Sequence, residues 1–234
     1  MKTAAMTRIH RSKQTLGVWL GYCSRYFDEL YVFAGRYNGK EPETFDELMD
    51  KYHFNLITLP DEFYAMTCHE KVFAKQRELL VDHGWVLYSD ADEIVVVDPE
   101  KYDGLRHFMD VTKQDQTFCR GYDVFQKPDE TNIDYAKPYL LQRTSWCPDA
   151  TKSYHKPCLS RIPTDWAEGF HYIKGREQEI EENSLNTDLF LVHLKHADRG
   201  MERDYPLENT GTHGNTAEFE KNGCLIPDKV RRMF

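Results

Sequence analysis

The sequence predicts an α/β fold with a mostly parallel central sheet and helices on both of its faces. In the first half of the chain, short runs of β-favouring apolar residues alternate with stretches of helical periodicity. Such alternation is typical of parallel strands joined by right-handed helical crossovers. A content of 40% apolar and 13% aromatic residues in 234 residues is enough for a sizeable core.

The chain opens with a predicted β-α-β unit. A first strand at 2–7 ends in a basic loop at 8–11. From Ser12 to Phe27 apolar residues recur every three or four positions, which predicts a helix with one buried face. The run Glu29–Ala34 predicts a second strand, and Gly35 stops it.

Two helices and one strand are predicted next. A short helix covers 44–51, and a third strand at 54–59 is broken by Pro60. The segment Thr67–Glu70 fits a capping box, in which two side chains satisfy free N–H groups at a helix start. The helix that it begins should run to about His83.

The acidic segment that follows is the most informative part of the sequence. The apolar strand Trp85–Tyr88 stops at Asp90, Asp92 and Glu93, and a second apolar run, Ile94–Val97, comes directly after them. Carboxylates at positions i and i+2 can point to one side of a turn, roughly 6 Å apart at ~3.3 Å per residue. Ligands of α/β proteins usually bind at the carboxyl ends of central strands. The segment therefore predicts a Mg²⁺ or Mn²⁺ and phosphate site, with a solvated acidic turn as the alternative.

The second half of the chain predicts a less regular, mixed β region. Pro99 fits the first turn of a helix that reaches about Val111. Strands separated by polar loops are then predicted at 117–125, 139–143, 154–161, 170–173 and 189–196.

Composition limits the partners and the compartment. The net charge of −9 argues against nucleic acid or an anionic membrane surface as the main partner. The sequence predicts neither a membrane span nor a secretion signal. Its six cysteines lie far apart, which predicts reduced thiols in a cytoplasmic protein. No linker divides the chain, so a single domain at 1–234 is predicted, with halves at 1–98 and 99–200 and an extension at 201–234.

Three blocks in a fixed order carry a resemblance to a known family. They are W-V-L-Y-S-D-A-D-E-I (85–94), H-K-P-C-L-S-R-I-P-T-D-W-A-E-G-F-H (155–171) and L-F-L-V-H-L-K-H-A-D-R (189–199). With the β-α-β start, they resemble the family-2-like glycosyltransferases of the GT-A fold over about residues 2–200. The resemblance implies a nucleotide-sugar donor, in the first instance a UDP-sugar, whose sugar passes to a hydroxyl of a glycan or glycoconjugate. The first half would bind the donor and the second half the acceptor.

The resemblance also implies Mn²⁺ or Mg²⁺ as cofactor, bridging the donor diphosphate to the acidic segment. Asp92 would be the principal metal ligand, while Asp90, followed by Ala91, would contact the ribose or a metal-bound water. His193 would complete the metal shell and favour Mn²⁺, with a satisfied core histidine as the alternative. Lys195, on the same strand face by period-2 alternation, would meet the diphosphate.

Five further positions are candidates for donor binding. Thr7 and Arg8 follow the first strand, where such enzymes hold the nucleotide. Asp61, after the third strand, is a candidate partner for the base, and Arg77 on the capped helix a candidate for the phosphates. Ordinary surface roles are the alternative for these four. His171 would orient the donor sugar or pack under the sheet.

A catalytic base is required only if the reaction inverts the anomeric centre. Asp165 and Glu168 fall where inverting members of the fold place a carboxylate, and burial beside Trp166 would raise the pKa of such a group. The usual E-D pair is missing here. A retaining reaction without a protein base, or two loop carboxylates without a catalytic role, are the alternatives.

Two other classes of protein are compatible with the acidic segment. A haloacid-dehalogenase-like phosphatase or phosphotransferase would use Asp90 as its nucleophile. That motif normally follows the first strand and has Thr or Val where this chain has Ile94. A non-catalytic nucleotide-sugar-binding domain would keep the fold without the metal shell, and the presence of Asp90, Asp92 and His193 together argues against it.

Overall fold

The computed structural model describes residues 1–9, 13–42, 44–62, 66–148, 155–175, 186–195, 197–198 and 224–232. These residues form an α/β protein with a mixed, curled sheet and helices packed against it. Among the helices of these segments, none has both the length and the apolar character needed to cross a membrane.

Ten strands and five helices lie in the described part of the chain. The strands are β1 (Thr3–Ile9), β2 (Glu29–Arg36), β3 (Asn55–Glu62), β4 (Trp85–Tyr88), β5 (Glu93–Val97), β6 (Gln116–Val124), β7 (Ser145–Pro148), β8 (Pro157–Ser160), β9 (Asn186–His193) and β10 (Cys224–Leu225). The helices are α1 (Lys13–Cys23), α2 (Asp46–Lys51), α3 (Met66–Asp82), α4 (Leu105–Val111) and α5 (Asp228–Arg231). Two 3₁₀ turns cover Leu140–Gln142 and Glu168–Phe170.

The first half is the parallel part of the sheet, with strand order β3-β2-β1-β4. Alternate residues of β1 face opposite sides: Ala5 belongs to the apolar cluster that contains α1, whereas Ala4 and Met6 belong to the cluster that contains α3. The chain therefore covers both faces of these strands. The winding direction changes between β1 and β4, and such a switch point is where open α/β sheets bind ligands.

The second half adds strands of both directions. β8 is antiparallel to β4 and to the start of β6, while the end of β6 pairs with β7 and β9. β5 is antiparallel to β9. In this register His193 is the partner of both Glu93 and Asp123, so three polar residues from three strands lie side by side.

Several boundaries in the first half differ from the prediction. β1 continues through Arg8 and Ile9, so Arg8 is a strand residue and not part of a loop. Gly35 lies inside β2. Pro60 lies inside β3, which is possible because β3 is an edge strand with one side free of ladder hydrogen bonds.

The second half contains larger differences. The helix expected from Pro99 begins only at Leu105. The expected strand at 139–143 contains a 3₁₀ turn, and 170–173 forms only an isolated bridge from Ile173 to Trp166. β7 and β10 were not predicted. The side chains of five of the six cysteines are described, and all five are buried and free, as expected for reduced thiols.

We expect the parallel core to dominate stability. Leu87 in central strand β4 is fully buried, so Leu87→Ala should lower the free energy of unfolding by about 2–5 kcal/mol through lost burial and a cavity. Leu56 lies in edge strand β3 and is 38% exposed, so Leu56→Ala should cost clearly less. Urea unfolding of both variants measures the difference, and equal losses would contradict this view of the core.

Candidate active site

The turn between β4 and β5 is held in place by hydrogen bonds from side chains. The Ser89 hydroxyl accepts a hydrogen bond from Trp19 Nε1 at 2.9 Å and donates one to the Glu93 carbonyl at 3.0 Å. The Asp90 backbone N–H donates to Glu93 Oε2 at 3.0 Å. Because Trp19 is a fully buried residue of α1, these bonds fix the acidic turn to the core.

Lys156 is a buried cation between two carboxylates of the turn. Its Nζ lies 2.9 Å from Asp90 Oδ2 and 2.5 Å from Glu93 Oε1. Burial by itself would lower the pKa of Lys156, but the charges of Asp90 and Glu93 outweigh burial and raise it. Lys156 therefore carries its charge at neutral pH. Burial raises the pKa of Glu93 above its usual value despite the nearby ammonium group.

Arg8 brings a second cation to Asp90 from the end of β1. Its Nε donates to the Tyr88 hydroxyl at 2.7 Å, which in turn donates to Asp90 Oδ1 at 2.8 Å, and the Arg8 guanidinium lies 3.7 Å from the same oxygen. Burial would raise the pKa of Asp90, but the charges of Lys156 and Arg8 hold it well below its usual value. Asp90 is therefore ionised and already has three partners.

Phe170 keeps this arrangement in position. Its ring stacks on the Tyr88 ring at 4.2 Å between centroids, and the Arg8 guanidinium lies 4.3 Å from its centroid. Gly169 and Phe170 both have left-handed backbone conformations, with φ of 74° and 63°. A left-handed Phe costs roughly 1–3 kcal/mol and persists only where packing over-determines it. The G-F-H sequence thus reflects a tight turn that inserts Phe170 beside Arg8.

His193 joins Asp92 to Asp123. Its Nδ1 lies 2.7 Å from Asp123 Oδ1, and its Nε2 lies 3.4 Å from Asp92 Oδ2. Burial would lower the pKa of His193, but the hydrogen bonds and charges of the two carboxylates raise it to about 10. This shift favours the protonated ring at neutral pH, in which Nε2 can donate to Asp92 while Nδ1 donates to Asp123.

The two aspartates are the accessible side of this network. The side chains of Asp90 and Asp92 are 26% and 24% exposed, whereas those of Glu93, Lys156 and His193 are nearly inaccessible. A ligand that approaches the switch point would therefore meet these two carboxylates. Of the two, Asp92 has fewer cationic neighbours.

Other predicted residues lie near the network or away from it. Thr7 is fully buried, and its hydroxyl donates to the Arg8 carbonyl at 3.4 Å. Asp61 is near the end of β3 and accepts a hydrogen bond from the Thr67 hydroxyl at 2.6 Å. Arg77 forms a salt bridge with Asp165, and both side chains are more than half exposed.

The segment with the two candidate bases is only partly as expected. Trp166 is buried, and its Nε1 donates to the Pro157 carbonyl at 3.1 Å, but the Asp165 side chain is 61% exposed. Asp165 therefore lacks the burial beside Trp166 that would favour a base, and its exposed salt bridge with Arg77 agrees with the alternative of a loop carboxylate. The side chain of Glu168 lies outside the described residues. The base role of both residues stays a prediction.

The remaining predicted donor residues surround the turn or follow β9. Ala91 is buried in the apolar cluster that contains α1. His171 is half-buried, with its ring above Gly169, so that a Cβ there would lie 2.6 Å from the imidazole. Lys195 is half-buried two residues beyond the end of β9, so the strand-face argument that placed it beside His193 does not apply.

Sequence reasoning missed four residues of the network. Lys156 and Asp123 could have been recognised as candidates, because a charged residue within a predicted strand is unusual. Tyr88 and Phe170 were indistinguishable from ordinary core aromatics.

His69 was also missed. It is buried on α3, and its ring lies 5.1 Å from the Phe170 ring. Its pKa is lowered to about 4, mainly by burial and to a smaller extent by the charge of Arg8.

The carboxylates and the imidazole of the turn are groups that a divalent cation accepts as ligands. Among the described residues, no group of three or more His, Cys, Asp or Glu side chains is arranged to enclose a metal ion. Asp92 Oδ2 and His193 Nε2 nevertheless face each other, and Asp123 holds the other ring nitrogen, as carboxylates do behind metal-bound histidines. Such a pair fits an open site whose other ligands are water and substrate phosphates.

Comparison with known proteins gives a weak likeness. No protein-family model matches the sequence, and no curated protein sequence matches it. Among solved structures, the chain is similar to S. aureus TarS 1-349, with 12% identity over 82% of this chain and 58% of that one, and a TM-score of 0.39.

Two complexes of the same protein are similar at the same level. TarS 1-349 in complex with UDP matches at 13% identity over 82% of this chain and 57% of that one, with a TM-score of 0.39. The complex with UDP-GlcNAc matches at 13% identity over 69% and 45%, with a TM-score of 0.37. This chain thus spans less than two thirds of the TarS chains. At such TM-scores the likeness carries no argument about function, which rests on the site.

We expect Lys156 to be essential to the folded state. Lys156→Met would leave buried Glu93 and partly exposed Asp90 without their shared cation, and should lower the free energy of unfolding by about 3–5 kcal/mol. The double variant Lys156→Met/Glu93→Gln should lose less, because the buried one of these two charges is then absent. Lys71 on α3 is exposed, so Lys71→Met should have little effect. Urea unfolding of the three variants measures this, and an unchanged stability of Lys156→Met would contradict the assigned network.

Proposed function

We propose that the protein is a metal-dependent glycosyltransferase of GT-A-like fold that takes its sugar from a nucleotide-sugar donor. One observation carries the proposal: at the switch point between β1 and β4, Asp90 and Asp92 are partly exposed, and His193 from β9 faces Asp92. Ligands of α/β sheets bind at this place, and two carboxylates with an imidazole suit a divalent cation and a diphosphate.

The proposed metal ligands are Asp92 and His193, with Mn²⁺ preferred over Mg²⁺ because imidazole suits it better. When bound, the cation would offset the negative charge that develops on the leaving nucleoside diphosphate. Asp123 holds His193 Nδ1, so that Nε2 points at Asp92. A cation between Asp92 and His193 would compete with the proton that Nε2 now carries.

Asp90 has a different proposed role. Because Lys156, Tyr88 and Arg8 already contact its oxygens, it is better suited to accept a hydrogen bond from a donor hydroxyl or a metal-bound water than to act as the main ligand. The three partners hold the carboxylate in one orientation. This is the preorganisation that binding and catalysis require.

The identity of the donor and the acceptor belongs to the proposal as well. The resemblance of the three sequence blocks supports a UDP-sugar and a hydroxyl on a glycan or glycoconjugate. If the reaction inverts, Glu168 or Asp165 would accept the proton of that hydroxyl. Asp165 would first have to leave its salt bridge with Arg77.

Titration of UDP into the purified protein tests the proposal. With Mn²⁺ we expect calorimetric binding that is lost with EDTA, because the diphosphate requires the cation to offset its charge beside the carboxylates. Asp92→Asn should weaken this binding by at least about tenfold. Asp103→Asn is the matched control, since the Asp103 side chain is fully exposed and the residue lies outside the turn, just before α4.

The outcomes separate the alternatives. If UDP binds equally well without metal and in Asp92→Asn, the proposed metal site at Asp92 is refuted. Absence of UDP binding under all metal conditions would refute the UDP donor, and hydrolysis of a generic phosphate monoester that depends on Asp90 would then favour the phosphatase class.

A further inference from the structure

A second cleft lies on the outer side of α1, and its lining residues are different from those of the candidate active site. It has a volume of about 610 Å³ and lies between α1, α2 and the segment 135–139. This volume falls within the range of ligand-binding pockets. The opposite face of α1, which includes Leu16 and Trp19, packs in the core, so the cleft and the core share one helix.

The cleft is basic although the protein is acidic. Of the described residues that line it, four are basic, namely Lys13, Arg25, Lys51 and Lys137, and one is acidic, Glu47. Lys137 also pairs with Asp134 at 2.8 Å, which reduces the excess without removing it. In a chain with a net charge of −9, such a local excess of positive charge attracts anions selectively to this place.

The cleft is also lined with tyrosines. Tyr52 and Tyr135 are partly exposed in its walls, while Tyr22 and Tyr139 lie buried behind them. Tyrosine offers a flat apolar face and a hydroxyl that can hydrogen-bond, and a sugar ring presents the complementary combination of C–H faces and hydroxyls. Tyrosines beside lysines therefore suit a saccharide that carries negative groups better than a small inorganic anion.

The floor of the cleft is an even strip along α1. Lys13, Gly17 and Gly21 lie four residues apart on one helix face, and Arg25 continues the line after the helix. The two glycines let α2 approach α1 closely, since a Cβ at Gly17 would lie 3.5 Å from Leu48 and a Cβ at Gly21 would lie 3.0 Å from the Tyr52 hydroxyl. Lys13 and the end of α1 are roughly 15 Å apart at 1.5 Å per residue. The strip is therefore long enough for several units of an extended chain.

One wall of the cleft is joined to the segment that follows β9. The Tyr135 hydroxyl donates to Asp198 Oδ2 at 3.1 Å, and Asp198 lies five residues after His193.

We infer that this cleft binds an anionic saccharide chain, one that bears phosphate, sulfate or carboxylate groups, and that it holds the acceptor of the transfer reaction. The binding of an anionic saccharide follows from the cleft alone. The acceptor role rests on the proposed function.

The test measures the binding of size-fractionated dextran sulfate oligosaccharide to the full chain by calorimetry. Neutral dextran of equal length and a poly-aspartate peptide serve as comparison probes. We expect dextran sulfate to bind more tightly than either, and to bind more weakly as salt increases. Lys51→Glu should weaken this binding by at least about tenfold, whereas Lys71→Glu on α3 should leave it unchanged. Both lysines are exposed, and thermal melting confirms that both variants fold.

Each result decides the inference. Equal binding of poly-aspartate and dextran sulfate, or equal losses in Lys51→Glu and Lys71→Glu, would overturn it. UDP titrated with Mn²⁺ into the same samples keeps the two proposals apart. If UDP binds and dextran sulfate does not, the cleft inference fails alone; if dextran sulfate binds as expected and UDP does not, the cleft is a saccharide site and the transferase proposal fails.

Discussion

The site depends on the neutralisation of carboxylates that the fold gathers at one end of the sheet. Four carboxylates meet three buried basic groups there, the carboxylates being Asp90, Asp92, Glu93 and Asp123 and the basic groups Arg8, Lys156 and His193. An unpaired charge in such a place costs several kcal/mol, so each basic group is a condition for the turn to exist in this form. The strand register sets this up, because it aligns residues of β5, β6 and β9 in one row.

The ion pairs of the network differ in how far they are closed off from solvent, and the functional proposal rests on this difference. Glu93 and Lys156 are closed off from solvent, and Asp90 has three partners, so this part of the network is structural and orienting. Asp92 is partly exposed, and a protonated His193 is its cationic partner. A proton is the easiest of these positive charges to exchange for a metal ion. The basic cleft lies along the outer side of α1, whereas Trp19 on the inner face of the same helix holds the acidic turn.

Much of the parallel half was predictable from sequence, and less of the site was. Strand β4 was predicted with its observed ends, and Asp90 and Asp92 were correctly placed after it, because an apolar run that stops at charges is a local signal. Lys156 and Asp123 come to the site through strand pairing between distant segments, which no local pattern reveals. The salt bridge between Asp165 and Arg77 could not be predicted, because it joins residues 88 positions apart. Pro60 was expected to end β3. A proline is tolerated inside β3 because this strand lies at the sheet edge, which is a property of the whole sheet and not of the local sequence.

In the proposed site, His193 Nε2, held by Asp123, becomes a metal ligand when the nucleotide binds. Pulsed electron paramagnetic resonance on the protein with Mn²⁺ and UDP tests this most directly, since imidazole coordination gives a characteristic ¹⁴N coupling to the manganese. We predict this coupling in the wild-type protein, its loss in His193→Gln and its retention in His69→Gln, because the His69 ring is buried on α3 and has no place in the proposed metal site. A Mn²⁺–UDP spectrum without ¹⁴N coupling in the wild-type protein, or a coupling that survives His193→Gln, would contradict the account.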